Sequence, residues 1–64
     1  MRIVMDDGSI KDLDLGSAVI LDILSLLKIN PEEVIVAKNG RIVSECDSAE
    51  MCDELKVVRI IHGG

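Results

Sequence analysis

The sequence predicts an α+β fold, a mixed four- or five-stranded sheet packed on one main helix. Three observations carry that prediction. Two β-rich runs near the start are separated by an Asp-Gly turn and two more in the second half by Asn-Gly, so each half offers a hairpin. Between them, Ile20, Ile23, Leu24 and Leu27 fall at the i, i+3, i+4, i+7 spacing of one buried helical stripe. The 64 residues allow a single small domain, and an aliphatic run at 55–61 completes its sheet.

Each element has its own grounds. Residues 1–5 (MRIVM) have a β-branched centre and stop at Asp6-Asp7-Gly8-Ser9. In residues 10–15 (IKDLDL), Leu13 and Leu15 alternate as a strand should, while Ile10 is out of phase and points to a bulge or a late strand start. Gly16-Ser17 opens the helix, with Ser17 capping its free amides. Asp22, Ser25 and Lys28 mark the wetter side, and Val19, Leu21 and Leu26 widen the apolar face beyond what one sheet covers. Asn30-Pro31 stops the helix, because Pro disfavours the α conformation of the residue before it.

Residues 34–38 (VIVAK) form a continuous apolar strand, Asn39-Gly40 the turn, and Arg41-Ile42-Val43 the start of the return strand. Residues 44–54 are polar, acidic and irregular, with room for a single helical turn. Residues 55–61 (LKVVRII) make the last strand. In a domain this small the first and last strands are expected to pair centrally and in parallel, with the helix as crossover. No internal repeat is read.

Composition narrows the function classes. A chain of this size buries only about 60% of its unfolded surface, so its core must be dense. Hydrophobic residues make up 48%, yet Phe, Tyr and Trp are absent, so that core is Ile, Val, Leu and Met. Aliphatic content of this order excludes disorder. Without aromatic rings there is nothing to stack bases on, and a net charge of −5 repels phosphate, which argues against direct nucleic-acid binding. A roomy, aromatic-lined small-molecule pocket is not expected either. The longest apolar segment, 18–27, is broken by Asp22 and Ser25, so no membrane span is read, and no secretory signal precedes it. A cytoplasmic protein is expected, with Cys46 and Cys52 as reduced thiols.

The most informative feature is the end of the sequence. His62-Gly63-Gly64 follows an aliphatic strand directly. Glycine brings no side chain to pack and the most backbone entropy to lose, so Gly63 and Gly64 are expected to be flexible. A Cβ-free segment can thread a narrow channel and deliver its carboxylate to a partner's active site. Activated there as an acyl-adenylate, the carboxyl group can accept sulfur to become a thiocarboxylate, or an amine to become an amide.

In order, Asn30-Pro31-Glu32-Glu33, the strand Val34-Ile35-Val36-Ala37-Lys38, the Asn39-Gly40 turn, the Arg41-Ile42-Val43 return, the last strand and the closing His62-Gly63-Gly64 resemble the sulfur carriers among the ubiquitin-like β-grasp proteins, the ThiS/MoaD family. The Met1-led first strand and the Ile23-Leu24 pair on the helix fit as well, so the resemblance spans the chain. Members often carry Gly-Asp before the last strand, where this chain reads Cys52-Asp53, and the connection after Val43 is shorter than in typical thiamine carriers. The ending is also similar to that of ubiquitin-related modifiers serving tRNA thiolation and protein conjugation.

The resemblance implies a β-grasp domain over residues 1–61 and a flexible tail over 62–64. It further implies that an E1-like adenylyltransferase uses ATP and Mg²⁺ to adenylate Gly64. A sulfur donor then makes the thiocarboxylate, and a sulfur-accepting biosynthetic enzyme for thiazole, molybdopterin or thiolated tRNA receives the sulfur. The chain itself binds no cofactor on this reading and is a protein cosubstrate rather than an enzyme.

Strand alternation adds a docking surface. If Val34, Val36, Leu55 and Val57 face the helix, then Ile35, Ala37, Val58 and Ile60 face away, and an apolar patch there would receive the activating partner. Lys56 and Arg59 are placed at its edges, able to orient partner acids, although solvated charge is the ordinary state of both. His62 and Gly63 are assigned to tail recognition, with acyl-transfer base catalysis by His62 the less favoured role. Cys46, Cys52 and His62 make a thin case for a metal site; a reversible disulfide between the two cysteines ranks above it, and a pair of ordinary small loop residues above both. The acids Glu45, Asp47, Glu50, Asp53 and Glu54 oppose a reactive thiolate. No nucleophile–base pair or phosphate-binding glycine loop points to catalysis. Two alternatives share the tail or the fold: a ubiquitin-like modifier joined to target lysines through Gly64, and a non-reactive β-grasp interaction domain.

Overall fold

The computed structural model describes residues 1–60. The expected extension of the last strand to Ile61 and the tail expected to be flexible at 62–64 fall outside the described residues. Strands β1 (Arg2–Met5) and β2 (Ile10–Asp12) form the first hairpin. Its turn is stitched by the Met5 amide donating to the Ser9 carbonyl at 2.8 Å, with Gly8 at φ 90°. Ile10 pairs with Val4 and faces the same way, so its odd phase reflects neither bulge nor late start: the strand is only three residues long. Leu13 and Leu15 follow it as partly buried residues packed on the core.

Residues 17–19 depart from the expected helix start. They form β3 (Ser17–Val19), which pairs antiparallel with β6 (Ser48–Glu50), Ala18 opposite Ala49. Helix α1 spans only Ile20–Leu26, and Val19 at its N-cap makes no side-chain cap bond. Its first amides find carbonyls across the chain instead, Ile20 donating to Asp47 at 2.7 Å and Leu21 to Glu45 at 2.9 Å. A backbone segment thus satisfies the free amides that a serine cap was expected to bind. The 44–54 connection therefore holds a strand where a helical turn was expected.

The helix ends before Asn30-Pro31. Lys28 adopts the left-handed conformation (φ 59°), its amide donates to Ser25 at 3.1 Å, and the Ile29 amide reaches back to the Leu24 carbonyl at 2.9 Å. These two bonds make a Schellman close, built here on lysine rather than glycine. Asn30 then caps a 3₁₀ helix at Pro31–Glu33, its side chain accepting from the Glu32 amide at 3.0 Å.

Strands β4 (Val34–Lys38) and β5 (Arg41–Val43) flank Asn39 and Gly40, both at positive φ (51° and 87°), the signature of a type I′ turn. The last strand, β7 (Glu54–Arg59), lies at the centre of a five-stranded sheet ordered β2-β1-β7-β4-β5, parallel to β1 and antiparallel to β4. The helix stripe Ile20, Ile23 and Leu24 packs against Ile3, Val36, Leu55 and Val57, all buried, with Leu27 partly buried beside them. Leu21 and Leu26 remain exposed.

One repeated local structure was not read from the sequence. In Ser44-Glu45-Cys46-Asp47 the aspartate closes a four-residue turn, accepting from the Ser44 amide at 2.8 Å. In Glu50-Met51-Cys52-Asp53 it does the same, accepting from the Glu50 amide at 2.8 Å. The two turns bracket β6 and each carries one exposed, free cysteine.

Candidate functional site

The side of the sheet away from the helix is where the expected docking residues meet. Alternation along β4 and β7 sends Val36, Leu55 and Val57 into the core and Ile35, Ala37 and Val58 outward, with Ile60 continuing the outward set. The register places Ile35 directly opposite Val58 and Ala37 opposite Lys56. Ile35, Val58 and Ile60 stay 42%, 39% and 37% exposed, so no element of the described chain covers them. All four expected docking residues therefore share one face.

That face is wider than the sequence indicated. Ala37 pairs with Ile42 on β5, Lys56 with Val4 on β1, and Val4 with Ile10 on β2, so one row crosses all five strands. Among the described residues Ile42 is the most exposed of the large apolar side chains, at 76%. Its place was deducible: a two-residue turn at Asn39-Gly40 fixes the register that sets Ile42 beside Ala37. Ile10 was not deducible, because the length of the turn through Asp6 and Ser9 decides its partner.

The charges also fall differently. Lys56 is in the middle of the face, between Ala37 and Val4, rather than at its edge. Arg59 shares the parity of Leu55 and Val57 and so belongs to the opposite side. The polar boundary is at the other end of the strands, where Arg2 pairs with Asp12 and Glu54 and lies 4.0 Å from each carboxylate. The face is thus charged where β7 begins and apolar where it ends, at Ile60, four residues before Gly64. His62, Gly63 and Gly64 themselves lie outside the described residues.

Side-chain hydrogen bonds fix the ends of the central strand. Asn39 is tied to its start: Nδ2 donates to the Asp53 carboxylate at 2.9 Å and Oδ1 accepts from the Glu54 amide at 3.0 Å. The Glu50 amide and then the Asn39 side chain hold the Asp53 carboxyl below its ordinary range. In the first hairpin the Ser9 hydroxyl and amide lower Asp7 in the same way. In the sequence Asn39 has the pattern of a turn residue only. Nothing in the local pattern shows that it bonds 14 residues away.

Other chemistry is sparse. An open groove of about 310 Å³ beside β4 and β5 has Leu24, Pro31, Val34, Val36, Ile42 and Glu45 among its lining residues. Among the described residues no His, Cys, Asp or Glu cluster could hold a metal ion. No described helix is long and apolar enough to cross a membrane.

No protein-family model matches the chain, and no curated protein matches it by sequence. Solved structures do match by shape. The crystal structure of the thiamine biosynthesis protein ThiS from Geobacter metallireducens superposes with a TM-score of 0.70 at 23% identity, covering 100% of both chains. An NMR solution structure of a thiamine biosynthesis protein from the same organism gives 0.63 at 23% identity, covering 100% of this chain and 88% of the other. The five-stranded mixed sheet, the one α-helix among the described residues and this full-length superposition establish a ubiquitin-like β-grasp fold of the ThiS type.

Proposed function

We propose that the chain is a sulfur carrier whose Gly64 carboxyl group is adenylated by an E1-like enzyme and converted to a thiocarboxylate. The observation that carries this reading is the full-length likeness to a thiamine biosynthesis protein, ThiS, in a chain whose sequence continues past the central strand to His62-Gly63-Gly64. ATP and Mg²⁺ belong to the activating enzyme, and this chain contributes the acyl group. Attack of the Gly64 carboxylate on the α-phosphate of ATP forms the acyl-adenylate and releases pyrophosphate. Hydrosulfide delivered by a donor then attacks the acyl carbon, the bond to AMP breaks, and loss of the proton leaves the thiocarboxylate and free AMP.

The outer face supports docking beside that chemistry. Ile35, Ala37, Val58 and Ile60 offer apolar area that ends where residues 61–64 begin, so an enzyme seated on them has its catalytic pocket within reach of the tail. Four residues span at most about 14 Å. Gly63 and His62 are assigned to the channel that admits the tail. Thiamine biosynthesis is the favoured pathway because the superposed proteins are thiamine biosynthesis proteins. Intact-mass measurement of the protein isolated from its native cells tests the reading. The replacement of one oxygen by sulfur at Gly64 is expected, whereas lysine adducts would make the chain a modifier, and an unaltered carboxylate under all conditions would leave a non-reactive interaction domain.

A further inference from the structure

The parallel pairing of β1 with β7 runs from Arg2↔Glu54 to Met5↔Val57 and then stops, because β1 turns at Asp6. Continued by one residue, the register would set Asp6 opposite Val58, and a strand there would offer its backbone carbonyl to the amide of Arg59. The backbone has left, but the side chain has not. The Asp6 carboxylate accepts from the Arg59 amide at 3.0 Å, across 53 residues of sequence.

On the other side of β7 the same substitution occurs with a turn in place of a strand. Val34 is the first residue of β4 and pairs with Arg59; just before it, the Glu33 carbonyl of the 3₁₀ helix accepts from the Ile60 amide at 2.7 Å. Successive amides of a strand point to opposite sides, so the final two described residues are each held by a neighbour that is not a strand. Arg59 is bound toward β1 and Ile60 toward β4. Both bonds lie at the apolar end of the outer face.

We propose that Asp6 is a positioning residue for the C-terminal tail: its carboxylate stands in for the missing β1 carbonyl and fixes the direction in which the chain leaves the sheet. This inference rests on the functional reading above. With the exit ordered before binding, docking on the outer face and entry of residues 61–64 into the partner's channel become one event. Without it, the exit is ordered at the moment of association and the cost appears as weaker binding.

The test compares D6A, which removes the acceptor, with D6N, which keeps a side-chain carbonyl oxygen in place without the charge. Two readouts are taken on the full chain: amide exchange at Arg59, and ATP-dependent pyrophosphate release by an E1-like adenylyltransferase. D6A is expected to speed Arg59 exchange and to raise the KM for the carrier about fivefold with kcat unchanged, while D6N stays near the wild type in both. A purely structural role would change the melting midpoint of D6A, with D6N restoring it, but would not produce this KM-against-kcat split.

Rapid exchange of Arg59 in the wild type, or a D6A carrier with wild-type KM, overturns the proposal. So does a D6N carrier as impaired as D6A, since the carboxylate would then act through charge on the partner. Should the wild-type chain not be adenylated at all, the functional reading fails. The exchange comparison of wild type, D6A and D6N still decides whether Asp6 orders the exit.

Discussion

Val57 and Val58 are chain neighbours on opposite faces of β7, the first 2% exposed in the core and the second 39% exposed on the outer face. Truncating each to alanine separates folding from docking. Val57→Ala leaves a cavity against the helix stripe and is expected to cost about 2 kcal/mol of stability, by analogy with other buried truncations. In a domain of this size that lowers the melting midpoint by roughly 8–16 °C. Val58→Ala removes ~40 Å² of exposed methyl surface, which at ~25 cal/mol per Å² is about 1 kcal/mol of docking energy if a partner buries it.

At 1.4 kcal/mol per tenfold, that loss weakens partner binding about fivefold. The assay pairs thermal unfolding with titration against an E1-like adenylyltransferase. Val58→Ala is expected to melt within a few degrees of the wild type and bind more weakly, and Val57→Ala to do the reverse. Equal losses of stability in the two variants, or unchanged binding by Val58→Ala, would refute the assignment of the two faces.

Three further outcomes follow from local geometry. Asp7 and Asp53 are held below their ordinary carboxyl range by hydrogen bonds made in the fold, so their stabilising contribution is present above the unfolded value near 3.8 and is lost as pH falls through the folded values. Acid titration of stability should therefore be shallower in Asp53→Asn than in the wild type, and an identical acid limb would contradict the cause given. Lys28 at φ 59° bears a left-handed backbone without glycine's freedom, so Lys28→Gly should raise unfolding free energy by about 0.5–1 kcal/mol in denaturant titration. No gain would mean that Lys28 makes compensating contacts. Ala49, fully buried opposite Ala18, has no room for a larger side chain, and Ala49→Leu should cost about 1–3 kcal/mol in the same assay; a neutral result would show that the β3–β6 ribbon gives way.

The parts of the fold readable in advance are those set by short-range pattern. Asn39-Gly40 dictates a two-residue turn, and the period-two alternation of β4 and β7 sorts Val36 and Val57 from Ile35 and Val58 without knowledge of any other strand. The stripe at Ile20, Ile23 and Leu24 is equally local. What escaped depends on distant partners. Ser17-Ala18-Val19 has the composition of a helix start, and only its pairing with residues 48–50, themselves small and polar, makes it a strand.

Lys28 ends the helix with a residue that carries no stop signal, whereas Asn30-Pro31, which has the pattern of a terminator, starts the next element. The candidate site divides in the same way. Ile35, Ala37, Val58 and Ile60 follow from alternation, but the central place of Lys56 needs the β1–β7 register, and the grip of Asp6 on Arg59 needs the whole sheet.

The proposed sulfur-carrier role requires the carboxyl group of Gly64 to be the reacting group. Pyrophosphate release from ATP by an E1-like adenylyltransferase, measured with the full chain and with a chain lacking Gly63 and Gly64, tests this most directly. The full chain is expected to drive release, and the shortened chain to fold normally and drive none. Equal release from both would place the reaction elsewhere and contradict the account.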